Sequence, residues 1–120
     1  MKRKEYTNLK KIGKQTFKIK DNVFIRDTYT IVGSKEGEGP LKDSFDMIVQ
    51  DDLWGEDSFE KSEKKFQLTA IENLMKKSKI NKNEIDLIIS GDLLNQIISS
   101  SFAARTLEMP YIGIYGACSS

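Results

Sequence analysis

Apolar positions along the chain follow two rhythms. Between Asp57 and Ser78 they recur at helical spacing, which predicts one long helix with Phe66, Ala70, Ile71, Leu74 and Met75 as its buried stripe. Asp57-Ser-Phe-Glu60 reads as a capping-box variant at its start. Lys61, Lys64, Lys65, Lys76 and Lys77 mark the wet face, with Glu60 and Lys64 spaced as an i,i+4 ion pair. The second rhythm is the short continuous run. Ile85–Ser90, with Leu87-Ile88-Ile89 uninterrupted, and Tyr111–Tyr115 fit strands of a parallel sheet covered on both faces. Asn22–Val32 is rich in β-formers and predicts the first strand of the main sheet, while Thr16–Lys20 alternates as a short, half-exposed strand. Two further helices are predicted. Leu41–Leu53 would bury Leu41, Phe45, Ile48 and Val49; Leu94–Leu107 would bury Ile97, Ile98, Phe102 and Leu107. Ser99-Ser100-Ser101 is poor helix sequence, and its small side chains read as permission for close helix–sheet packing rather than as catalytic serines.

Apolar strands alternating with helices predict an α/β fold, a mainly parallel sheet packed with helices and joined by right-handed crossovers. Such sheets place ligands at the carboxyl ends of their strands. Asp92, Asn95 and Gln96 follow one predicted strand; Gly116, Ala117, Cys118 and Ser119 follow the next, so the two groups are expected to meet in one pocket. Asp92 reads equally as an N-cap of the helix after it. Gly116-Ala117 is a turn with almost no side-chain bulk, and it lifts Cys118 as a candidate nucleophile at a sheet end. Gly33–Pro40, with three glycines and a proline, predicts an irregular loop and lacks the Gly-Lys-Ser/Thr of a phosphate loop.

The 120 residues suit one domain or a piece of one. The net charge of +1 conceals an asymmetry: Met1–Lys20 carries eight Lys/Arg against Glu5 alone, +7, and the remainder carries −6. This divides the chain into a basic segment, 1–20, and a body, 21–120. A basic tail is attracted to anionic lipid or nucleic acid, but the default reading is a solvated terminus. The lysines of the long helix lack the basic excess and interleaved aromatics of a nucleic-acid surface, so no nucleic-acid partner is expected. No apolar stretch follows the basic residues as a signal peptide requires, and none approaches a membrane span. One Cys forms no internal disulfide, which fits a reducing interior, and the absence of His removes an internal Cys–His pair and the usual zinc sets. Asp51, Asp52, Glu56 and Asp57 crowd around Leu53-Trp54-Gly55, but their spacing matches no EF-hand loop and predicts a solvated acidic turn, with no metal and no cofactor expected.

Ile85-Asp-Leu-Ile-Ile-Ser-Gly91, Ala104-Arg-Thr-Leu-Glu-Met-Pro110 and Gly116-Ala-Cys-Ser119 resemble the thiolase superfamily, most of all its 3-oxoacyl-acyl-carrier-protein synthase III branch. Gly13-Lys-Gln-Thr-Phe17, Gly37-Glu-Gly-Pro-Leu41 and Gly91-Asp-Leu-Leu-Asn-Gln96, joined to that last stretch, resemble the stage V sporulation protein AD family over nearly the whole chain. The resemblance implies the N-terminal half of a thiolase-like fold, truncated after the nucleophile turn. It implies binding of dipicolinic acid, with calcium, during uptake into the developing spore, beside membrane subunits of the same operon. It places such a protein in the cytoplasm or peripherally at the spore inner membrane, with a homodimer as a family property. Cys118 maps onto the acyl-accepting position of the condensing enzymes, so the alternative it implies is acyl transfer through a Cys118 thioester. Asp92, Asn95, Gln96, Gly116, Ala117, Cys118 and Ser119 match the stretches expected at the ligand, and Arg105 is a candidate cation for an acid.

Overall fold

A computed structural model describes residues 9–118. Its spine is the long helix, Phe59–Ser78. Ser58 caps it, accepting the Lys61 amide at 3.3 Å, while the neighbouring Asp57 pairs with Lys61 Nζ at 2.7 Å. The cap is therefore Ser58 and not Asp57. Glu60 and Lys64 form no ion pair; Glu60 Oε1 accepts from Asn95 instead. The helix ends at a left-handed Lys79, φ 54°, where Lys79 and Ile80 amides return to Lys76 and Met75 carbonyls in a Schellman closure.

Strands and helices follow in the order β1 Leu9–Ile12, β2 Thr16–Ile19, β3 Ile31–Val32, α1 Ser34–Gly37, β4 Met47–Ile48, α2 Phe59–Ser78, β5 Ile88–Ser90, α3 Ile98–Leu107 and β6 Tyr111–Gly113. Among the described residues they form three two-stranded sheets rather than one mainly parallel sheet. β1 and β2 are an antiparallel hairpin; β3–β4 and β5–β6 are parallel. The architecture is mixed α/β. The radius of gyration is 17.3 Å, against about 14 Å for a compact domain of this length. Val49, Ala103, Ala104 and Met109 are the buried apolar residues among those described.

Four expectations from the pattern are corrected. The strand predicted over Asn22–Val32 is confined to Ile31–Val32, because only that pair has a partner strand, and Phe24 and Ile25 stand 80 and 87% exposed. The helix predicted over Leu41–Leu53 is replaced by a 3-10 turn at Lys42–Ser44 and by β4. Its backbone is claimed elsewhere: the Asp46 carboxylate accepts the Thr30 amide and hydroxyl at 2.8 and 3.0 Å, and the Met47 amide bonds the Thr30 carbonyl at 3.1 Å. Gly33–Pro40 is not wholly irregular, since Ser34–Gly37 makes a single helical turn packed beside Ile48. The third predicted helix starts at Ile98, four residues later than its pattern suggested.

α3 also presents a different face from the expected one. Ser99, Ser100, Ala103 and Ala104 are buried against α2 and β6, while Ile98 and Phe102 are exposed. Small side chains let the backbones approach, as the serine run implied. The pairing of Ile85–Ser90 with Tyr111–Tyr115 is parallel as predicted, in the register Ile88–Tyr111, Ile89–Ile112, Ser90–Gly113. Its covering is not. α3 packs on the face of Tyr111 and Gly113; on the other face Ile89 and Ile112, opposite one another, are 59 and 51% exposed.

Candidate functional site

The carboxyl ends of β5 and β6 meet. Beyond the strands, the Ile114 amide still bonds the Ser90 carbonyl at 2.9 Å, so the chain after β6 is held beside the loop after β5. Gly91 is the hinge of this approach: a Cβ there would lie 2.8 Å from Ala117 Cβ and 2.9 Å from the Ile114 carbonyl oxygen. Gly113 is needed for the same kind of reason, since a Cβ would meet Ile97 Cγ2 at 2.5 Å and the Tyr111 hydroxyl at 2.7 Å.

Of the polar residues expected at the pocket, Gln96 reaches the turn. Its Oε1 accepts the Gly116 amide at 2.8 Å, bridging the two loops. Asn95 points the other way, donating to Glu60 Oε1 at 3.3 Å and so tying the loop to α2. The Leu93 amide does the same to Glu63 Oε1 at 3.1 Å. Asp92 is 2% exposed and faces inward. Its Oδ2 accepts both the amide and the hydroxyl of Ser100 at 2.8 Å, which satisfies a first-turn amide of α3 as an N-cap would, although the capping position itself is Ile97. Since the Ser100 proton goes to Asp92, the Tyr111 hydroxyl, 2.5 Å away, donates to Ser100 Oγ. Sequence reasoning missed Ser100 and Tyr111; the serine run was visible, but only the register of β6 brings the phenol above it. Asp92 Oδ1 and Glu63 Oε2 are buried without a hydrogen-bond partner among the described residues.

Gly116 is in the left-handed region at φ 62°, Ala117 lies against Gly91, and Cys118 is an exposed free thiol. Ser119 lies outside the described residues. Arg105 is exposed on the last turn of α3, about 10 Å along the axis from Ile98, and is carried away from the turn rather than into it. The glycine-rich stretch belongs to the β3–β4 unit, where Ser34 Oγ bonds Asp52. Ile97, β-branched at φ 70°, is a strained residue beside Gln96. The acidic turn is closed on itself: the Asp51 carboxylate accepts the Leu53 and Gly55 amides, and Lys65 bonds the Trp54 carbonyl at 2.7 Å beneath a Trp54–Phe66 edge contact. Among the described residues no group of three or more His, Cys, Asp or Glu is placed to hold a metal.

What the arrangement offers is a small-residue turn held by a glutamine and backed by an Asp–Ser–Tyr chain whose Asp92 and Ser100 are buried. The profile of the Stage V sporulation protein AD family matches residues 13–120. The chain belongs to that family. It is 34% identical over 112 residues to Stage V sporulation protein AD of Bacillus subtilis (strain 168), covering 93% of this chain and 33% of the relative. The chain thus spans about a third of the length of the curated relative it matches. Membership supports a role connected with sporulation. No helix among the described residues is long and apolar enough to cross a membrane.

Proposed function

We propose that this chain supplies part of a dipicolinic-acid-binding component of the spore dipicolinate and calcium uptake machinery, in the N-terminal part of a thiolase-like fold. The reading rests on membership in the Stage V sporulation protein AD family over residues 13–120. The observation that carries it to a site is the Gln96–Gly116 bond, which brings the Gly91–Gln96 stretch and the Gly116–Cys118 turn together at one sheet end. A flat dianion needs donors and a lining without bulk. The turn at Gly116–Cys118 carries only a methyl and a thiol as side chains, its Gly116 amide is taken by Gln96, and an acid bound there would still require cationic partners. Membrane subunits of the same operon are the proposed partners, with the protein placed peripherally at the spore inner membrane.

Acyl transfer through Cys118 is not favoured. The chain has no His, and among the described residues no base or donor lies against the exposed thiol, so the chemistry would have to come from outside this chain. Calorimetric titration of dipicolinate, with and without calcium, into this chain and into the full-length Bacillus subtilis relative tests the proposal. Saturable heat and a thermal shift in the relative are expected. No heat and no shift at millimolar ligand in either protein would overturn the reading.

A further inference from the structure

Among the described residues the β1–β2 hairpin is covered by no other element: every residue from Leu9 to Arg26 is exposed, Phe17 by 61%. Between Leu9 and Lys20 the chain has five lysines and no acid. Lys10, Lys11, Lys14 and Lys18 make no ion pair among the described residues. The register places Leu9, Ile19 and Phe17 on one face with Lys11, and sets Lys10 directly opposite Lys18 on the other. Two like charges face to face destabilise a strand pair, and a lone two-stranded hairpin in water is marginal at best. This segment therefore combines an open apolar face, uncompensated cationic charge and internal repulsion, and each of the three is relieved by one kind of surface.

We propose that the hairpin is a docking surface for an anionic lipid bilayer. The Leu9–Phe17–Ile19 face would settle into the interfacial zone while the lysine stems reach sideways to headgroup phosphates. A nucleic acid fits less well, because Phe17 is the single ring on the hairpin that a base could stack on, and the aliphatic side chains would have no role. A second copy fits less well still, since it would bring five more lysines against the first five. The inference takes up the peripheral placement proposed above and names the surface responsible; it is independent of dipicolinate.

Sedimentation with vesicles that contain no protein separates the two ideas, because recruitment by membrane subunits cannot occur there. The purified chain is expected to sediment with phosphatidylglycerol-rich vesicles, to release in high salt, and to stay in solution with phosphatidylcholine alone. Joint Lys10→Glu, Lys11→Glu, Lys14→Glu and Lys18→Glu replacement should weaken binding by more than about tenfold, with the far-ultraviolet dichroism of α2 and α3 unchanged. Phe17→Ser should weaken it by about tenfold while keeping the lipid-charge dependence. No binding to the anionic vesicles, equal binding to both kinds, undiminished binding by the charge-reversed chain, or binding to RNA or DNA oligonucleotides in place of vesicles would each overturn the proposal.

Discussion

The two parallel strand pairs use the same device in different surroundings. β3 and β4 are drawn together by Asp46, which accepts the Thr30 amide, the Thr30 hydroxyl and Lys77 Nζ at the solvent-exposed end of α2. β5 and β6 are drawn together by Asp92, which accepts the Ser100 amide and hydroxyl and, through Ser100, fixes Tyr111 on β6. Water competes for every bond of Asp46 and for none of those of Asp92, which is 2% exposed. A carboxylate in the first setting is replaceable, and one in the second is not, because its loss strands buried donors.

The largest effect that would test this contrast is Asp92→Ala. It should cost about 3 kcal/mol, as the Ser100 amide loses its acceptor in a buried site and the Ser100 hydroxyl is left with Tyr111 alone; urea unfolding at constant slope reads it. A loss no larger than that from Asp46→Asn would erase the distinction. Gly91→Ala should follow at about 2 kcal/mol, because the new methyl collides with Ala117 and the Ile114 carbonyl and the two turns must part. Gln96→Ala should cost about 1 kcal/mol and speed hydrogen exchange at the Gly116 amide. The smallest effect is expected from Asp46→Asn, and it should be visible chiefly as a change in pH dependence.

Hydrogen bonding from Lys77, then from the Thr30 amide and hydroxyl, holds the Asp46 carboxyl below its ordinary value of 3.8. The bond to Asp46 in turn raises Lys77 above its ordinary 10.5. Both groups are charged in the folded chain, so the contribution of Asp46 is complete above 3.8 and fades as pH falls through its lower folded value. That of Lys77 is complete below 10.5 and fades as pH rises through its higher folded value. Stability measured in acid should therefore fall less steeply for Asp46→Asn than for the native chain.

How much of this the amino-acid pattern carries depends on whether an element is made by its own residues or by distant ones. The extent of α2 was legible because its capping stretch and closing lysines are local, but its expected stripe of Phe66, Ala70, Ile71, Leu74 and Met75 is only half-buried, and the buried residue of the helix is Ser62. The parallel β5–β6 pair was legible because short apolar runs flanked by Gly91-Asp92 and Pro110 have few other readings. β4 was not, because nothing within Leu41–Leu53 announces that Thr30, sixteen residues earlier, will hold Asp46. The start of α3 was missed for a similar reason: Leu94–Ile97 has helical composition, but Glu63, Asn95 and the reversed backbone at Ile97 hold it as a loop. At the site, the meeting of Gln96 with Gly116 followed from strand order, whereas the inward turn of Asp92 depended on Ser100 being buried.

The joint between α3 and its neighbours is built from serine and alanine, with hydroxyls and a carboxylate where most helices bury leucine. Such side chains surrender little rotational freedom when they dock, and they remove little hydrocarbon from water. Exposure of apolar area raises the heat capacity on melting and exposure of polar area lowers it. This joint should therefore add less to the calorimetric heat-capacity step than a greasy seam of equal size, and its grip should vary little between a cold environment and a warm one.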